Sequence, residues 1–261
     1  DLEHRTVRGA DMVLTASWRL LEIARKLNPT VYQVFDGISP EAFEEAIPVE
    51  KTALKHPVAG YIGAISDRFD VELVDALARR MPDWTFVFVG RVEAERVDVS
   101  SLRDRANIIF IENKKPGEVP GYVASFDACF LPYIPEPLSP PPTKLFKYLA
   151  SGRPVVASAL PEFDFLAEGI VFAKDAGEFE KALREALTQD APQKAGGRRE
   201  LARRHSWAAR VDELAKLWAS GCRRRVLIIP HHPLFEDLRI RLVEVARHLA
   251  EPLLVRFGFP P

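Results

Sequence analysis

Cysteine and methionine are scarce, with two of each in 261 residues. Cys129 and Cys222 lie far apart with no metal-ligand spacing. Zinc fingers and disulfide scaffolds are thereby excluded, and a reducing, cytoplasmic setting is the simplest expectation. An excess of one charge is lacking too. The 36 basic residues against 37 acidic ones leave a net charge of −1. That argues against a general nucleic-acid binder, though not against a local basic patch. No apolar run approaches the roughly 18–20 residues that span a bilayer. The longer runs, such as Trp84–Val89, have strand length. The chain opens Asp1-Leu2-Glu3-His4-Arg5, with no initiator Met and no secretory leader pattern, so a processed or excised product is expected. What remains is a globular composition, 47% hydrophobic and 28% charged.

What is present is a rhythm of strand and helix patterns. Ala10–Ala16 reads as a strand, and Ser17 as the N-cap of a helix through Leu27 with Leu20, Ala24 and Leu27 on one face. Val31–Phe35 reads as a short strand before a turn at Asp36-Gly37. The polar stretch Glu44–His56 reads as a linker. Six apolar runs follow: Val58–Ile65, Trp84–Val89, Asn107–Ile111, Asp127–Leu131, Pro154–Ser158 and Gly169–Phe172. Helical patterns fall between them at Phe69–Arg80, Gly117–Ser125, Thr143–Ser151 and Ala176–Gln189. Continuous apolar runs suit a parallel sheet with both faces covered. The expected class is α/β, a Rossmann-like doubly wound parallel sheet.

One amphipathic helix is expected over Arg198–Trp218, ending at Gly221. Beyond it come a strand pattern at Arg225–Pro230, a helix pattern at Leu234–Ala250 and a third element at Leu253–Phe257. This is a partial second Rossmann-like unit, too short to close a domain alone. It either completes a sheet begun by residues 1–45 or opens a further module. The expected division is 1–48, 57–195, a closing helix at 196–220, and 223–261.

Ligands of open parallel sheets bind outside the carboxyl ends of the strands. Two junctions there stand out. Gly63-Ala64 ends the first strand of the main domain, where a small residue lets the backbone approach a phosphate; a plain turn capped by Ser66 or Asp67 is the competing reading. Ser139-Pro140-Pro141-Pro142-Thr143-Lys144 leads into a helix. Lysine at a helix start opposes the macrodipole, and a bound anion would relieve that conflict. The competing reading is a solvated lysine at a turn. His231-His232 is read as a loop pair, because adjacent extended residues point opposite ways. Glu162 and Asp164 are read as an exposed helix start. Arg198, Arg199, Arg203 and Arg204 are read as a solvated face, with a membrane-surface role as the lesser alternative. The sequence shows no metal-ligand set.

The segment Pro142-Thr143-Lys144-Leu145-Phe146-Lys147-Tyr148-Leu149-Ala150-Ser151-Gly152-Arg153-Pro154-Val155-Val156 resembles the P-x-K-L-x-E-Y-L-A-x-G-x-P-V-V signature of retaining glycosyltransferases of the GT-B fold. Other segments agree in order: Gly60-Tyr61-Ile62-Gly63-Ala64-Ile65, Pro82-Asp83-Trp84, Phe126-Asp127-Ala128-Cys129-Phe130-Leu131-Pro132 and His205-Ser206-Trp207. Upstream, Asp36-Gly37-Ile38 stands where Asn-Gly-Val is more usual. The resemblance covers roughly residues 7–218 and is to polysaccharide-assembling members.

It implies two Rossmann-like domains facing across a cleft, with residues 57–195 binding a nucleotide-diphosphate sugar as donor substrate and no separate cofactor. It implies a glycan or lipid-linked acceptor, peripheral contact with the inner membrane face, and no nucleic-acid partner. By the same carry-over Lys144 is catalytic, neutralising the diphosphate of the departing nucleotide. Gly63, Ala64, Ser139, Thr143, Lys144 and Lys147 line the donor. The family's usual pair of glutamates is replaced here by Ser139 and Lys147. A protonated lysine accepts no hydrogen bond from ribose hydroxyls, so a non-catalytic scaffold with a degenerate donor site is the alternative. Most of an acceptor domain is absent from these residues, and a tandem enzyme or a circular rearrangement would explain the order of the parts.

Overall fold

The computed structural model describes residues 2–49, 54–135, 142–159, 161–219, 225–229 and 254–257. The chain divides into two compact units: residues 1–37, 138–141 and 205–261 in the smaller, and 38–137 and 142–204 in the larger.

The smaller unit opens with α1 (Leu2–Gly9), β1 (Met12–Thr15), α2 (Trp18–Arg25) and β2 (Val31–Gln33). Ser17 caps α2 as expected, its hydroxyl accepting from Leu20 N at 3.2 Å. The fully buried residues of α2 are Leu21 and Ala24, with Leu20 and Leu27 only partly covered, so the buried stripe is turned slightly from the expected one. Val13 and Val31, register partners on β1 and β2, complete that small core with Val7.

The larger unit runs α3 (Glu41–Glu44), β3 (Val58–Ile62), α4 (Val71–Arg80), β4 (Thr85–Val89), α5 (Ser100–Arg103), β5 (Ile108–Ile111), α6 (Val119–Ser125), β6 (Ala128–Leu131), α7 (Thr143–Ser151), β7 (Val155–Ser158), a 3-10 turn at Pro161–Leu166, β8 (Val171–Ala173), α8 (Ala176–Gln189) and α9 (Pro192–Arg204). All six expected strands are present in one parallel sheet of order β5-β4-β3-β6-β7-β8. β3, β4, β6 and β7 are buried at every position, which is why their apolar runs are continuous. The helix entries follow side-chain chemistry. Asp70 caps α4 by accepting from Leu73 N at 2.9 Å. At α8 the Asp175 carboxylate accepts from Glu178 N while Glu178 accepts from Lys174 N, a reciprocal cap.

Three boundaries differ from the sequence reading. Residues 38–43, ahead of the expected linker Glu44–His56, already belong to the larger unit: Ile38 and Phe43 are buried in its core, and within the linker Val49 N donates to Gly121 O at 3.2 Å. The division of the chain therefore falls at Gly37 and not at residue 48. The closing helix is two helices, α9 in the larger unit and α10 (Trp207–Ala219) in the smaller. Ser206 starts the second, its hydroxyl accepting from Ala209 N at 3.2 Å. Gly221 and the expected helix Leu234–Ala250 lie outside the described residues.

After α10 come β9 (Arg225–Ile229) and β10 (Leu254–Phe257). They join the parallel sheet of the smaller unit in the order β10-β9-β1-β2, with Met12 opposite Val226 and Thr15 opposite Ile229. Within this chain the last two strands thus extend the sheet that the first two begin, one of the two arrangements open from sequence.

Candidate active site

The larger sheet has one place where the strand order reverses. From β3 the chain moves outward to β4 and β5, then returns to β6 on the opposite side of β3. Such a reversal leaves a crevice outside the carboxyl ends of the two central strands, where open α/β sheets bind ligands. β3 ends here at Ile62 and runs into Gly63; β6 ends at Leu131 and runs into Tyr133; α7 begins beyond Pro142.

Lys144, in the first turn of α7, reaches into this crevice. Its Nζ donates to Tyr61 Oη and to Tyr133 Oη, each at 2.6 Å. The ammonium also lies 4.2 Å from the Tyr61 ring centroid and 5.0 Å from that of Tyr133. Gly63, at φ +109°, passes directly beneath: a Cβ there would stand 3.0 Å from Nζ. Gly90 makes that loop possible in turn, since a Cβ on it would meet the Gly63 carbonyl oxygen at 2.2 Å. Glycine at 63 is thus required by its conformation and by the approach of the lysine.

The charges here are of one sign. The Arg68 guanidinium carbon sits 4.9 Å from the Tyr133 centroid. Lys147 is half-buried one turn along α7. No acidic residue occupies the first turn of α7, and Pro142 offers no side-chain cap. Burial holds the Lys144 amine below the ordinary lysine range; the Tyr133 phenol pulls it back up, while Lys147 and Arg68 press it further down. Burial lowers the Lys147 amine as well. The Tyr61 phenol is pushed well above its ordinary value, first by burial and then by Tyr133, so it is a neutral partner. Among the described residues no carboxylate is paired with Lys144. Lys144 at the positive end of a helix, with Lys147 and Arg68 near enough to act on it, is suited to binding a polyanion.

The structure brings Gly63 and Lys144 together at the crevice, with Thr143 and Lys147 on the same helix as Lys144. Ala64 is exposed beside it, its carbonyl already accepting from Tyr61 Oη at 2.6 Å. Ser139, His231 and His232 lie outside the described residues. Sequence reasoning missed Tyr61, Tyr133, Gly90 and Arg68. The available signal was a polar-tipped aromatic at the carboxyl end of each of two parallel strands.

The arginine cluster is split: Arg203 and Arg204 are exposed as expected, and Arg198 is not. Arg198 is buried and donates to Gly152 O at 2.9 and 2.7 Å and to both oxygens of Asp190. Arg203 pairs with Glu44, and Arg204 with Glu168. In the smaller unit, Asp36 is pushed up to about 7 by burial, with Arg210 pulling the other way. Among the described residues no cluster of three His, Cys, Asp or Glu side chains could hold a metal ion, and no helix is long and apolar enough to cross a membrane.

Comparison with known proteins agrees with this fold. The family described as "Glycosyl transferases group 1" matches residues 56–189, just over half of the chain. TuaH of Bacillus subtilis (strain 168), named as a teichuronic acid biosynthesis glycosyltransferase, is 29% identical over 231 residues, covering 82% of this chain and 58% of its own length. Among solved structures, sucrose-phosphate synthase of Thermosynechococcus elongatus superposes with a TM-score of 0.62 at 18% identity, over 84% of this chain and 60% of that one. HepE of Anabaena, solved in complex with UDP-glucose, gives 0.58 at 16% identity, over 80% and 64%. The chain thus spans about three-fifths of the length of these relatives. With its reversed-order parallel sheet and Rossmann-like GT-B architecture, the chain belongs to the group 1 glycosyltransferases.

Proposed function

We propose that this chain carries the donor site of a retaining glycosyltransferase, which moves a hexosyl group from a nucleotide-diphosphate sugar to a glycan or lipid-linked acceptor in surface-polysaccharide assembly. Residues 57–195 form the donor domain in this reading. The smaller unit, in whose sheet β9 and β10 join β1 and β2, is assigned to the acceptor side. The reaction is assigned to the cytoplasm, with the acceptor presented at the inner membrane face.

One observation carries the reading: the ammonium of Lys144 stands at the switch point, and among the described residues its hydrogen-bond partners are two neutral phenols. As the glycosidic bond breaks, negative charge grows on the leaving diphosphate. A cation fixed there beforehand stabilises that charge more in the transition state than in the ground state. The backbone at Gly63 and Ala64 and the start of α7 at Thr143 supply close approach, and Ser139 is assigned to the same rim. Lys147, in place of the family's glutamate, contacts a phosphate. HepE and the pneumococcal transferase GtfA were solved with uridine nucleotides, which makes UDP the first ligand to try.

Calorimetry with UDP, GDP and dTDP tests the proposal. One nucleotide should bind, and Lys144→Ala should weaken it about 10- to 100-fold, the worth of one or two charge-assisted hydrogen bonds. Binding of none of the three would remove the reading. The anomeric configuration of the first-formed product, read by NMR, tests retention.

Lys147 itself favours a second reading, a non-catalytic module, since a lysine stands where the family's pattern holds a carboxylate. Turnover of a nucleotide sugar by the unaltered protein would eliminate it.

A further inference from the structure

Two residues that the sequence did not single out govern where the Lys144 amine points. We propose that Tyr61 and Tyr133 are positioning residues for Lys144: their phenols hold its ammonium, charged, at the switch point and leave one N–H directed at the anion of the ligand. The proposal deepens the anion-binding reading above and rests on it for the identity of that ligand.

An ammonium has three N–H donors. Two are taken by the phenols at 2.6 Å each. Tyr61 has a defined direction in this chain of bonds, because its own hydroxyl donates to Ala64 O at 2.6 Å and so receives from Lys144. Tyr133 is fixed by its backbone, whose N donates to Ser158 Oγ at 2.9 Å. The two hydroxyls are 3.4 Å apart, a fork matched to one amine. Both rings add attraction for the cation through their faces. A carboxylate pair would have neutralised the lysine; phenols solvate it and leave its charge available.

The groups that face the amine pull in opposite directions. Burial, Lys147 and Arg68 favour its neutral form, and Tyr133 favours the charged one. Tyr148 lies beyond Tyr61, its hydroxyl accepting from Ile62 N at 2.8 Å. Removing the Tyr133 hydroxyl should therefore let Lys144 lose its proton at lower pH.

Tyr133→Phe and Tyr61→Phe test this, since each keeps the ring, the packing and the cation–π contact. Lys144 is read directly through its Cε chemical shift in 13C-lysine-labelled protein, with Lys144→Arg assigning the signal. In Tyr133→Phe the titration midpoint should fall by about half a pH unit or more. UDP affinity should fall roughly 3- to 10-fold, more steeply at pH 9 than at pH 7. An unchanged or raised Lys144 midpoint in the folded variants would overturn the proposal. So would tighter UDP binding by Tyr133→Phe, because the phenol would then compete with the ligand. If Tyr133→Phe does not fold, the Tyr61→Phe titration decides by the same criterion. Failure of the wild-type chain to bind any nucleotide would sink the donor-site reading, whereas the titration judges the phenol clamp without a ligand.

Discussion

The two ends of α7 carry the same kind of charge to opposite effect. At the carboxyl end, Gly152 adopts a left-handed conformation, and Arg198 and Arg199 donate to the carbonyls of Gly152 and Ser151. Those cations stand at the negative pole of the helix, and Arg198 is also neutralised by Asp190. At the amino end, Lys144 stands at the positive pole with no acidic residue in the first turn, and Lys147 follows one turn along. Cations that agree with the dipole and have partners hold the fold together. Cations that oppose it, and whose partners are neutral, cost stability and are kept for a ligand. Residue type alone does not separate the two cases, and the electrostatic setting does.

The comparison can be broken from the structural end first. Arg198→Ala strips buried bonds from Gly152 O and leaves Asp190 unpaired, so it should cost about 3 kcal/mol in a denaturant melt, with nucleotide affinity per folded molecule unchanged. Gly152→Ala should cost about 1 kcal/mol, because the left-handed conformation at φ +75° strains any Cβ.

The ligand end should respond with the opposite sign. Lys144→Met removes a cation from a helix start and should raise stability by about 0.5–1 kcal/mol while reducing nucleotide binding. The pH dependence sharpens this. Burial puts the folded amine below the 10.5 of an ordinary lysine. Between those two values the unfolded chain holds more protons than the folded one, so stability rises with pH across that window. The advantage of Lys144→Met over wild type should therefore be full at neutral pH and shrink as pH climbs towards 10.5. A constant difference between the two melts across that range would remove the argument.

Local pattern made much of the larger unit legible. α7 and α8 run from Thr143 to Ser151 and from Ala176 to Gln189, as their periodicity and turn residues indicate. The strands differ by a few residues at their ends; β3 stops at Ile62, three residues early, because Gly63 turns the chain at positive φ. The unit boundary was placed too late because the polar stretch from Glu44 drew attention past Ile38 and Phe43, which already pack in the larger core. The break before α10 had a signal in Ser206, a capping residue, that amphipathicity across the junction concealed.

The candidate site divides along the same line. Lys144 and Gly63 could be named from sequence, since a cation at a helix start and a glycine at a strand end are unusual enough locally to ask for a ligand. Tyr61 and Tyr133 could not, being 72 residues apart and neighbours only because β6 returns beside β3. The sequence by itself determined the elements, their periodicity and the family, because each is written in residues close along the chain. Only the tertiary structure decided which strand ends meet, which arginines are buried and which lysine meets two phenols, because burial and pairing depend on what distant segments bring to the same place.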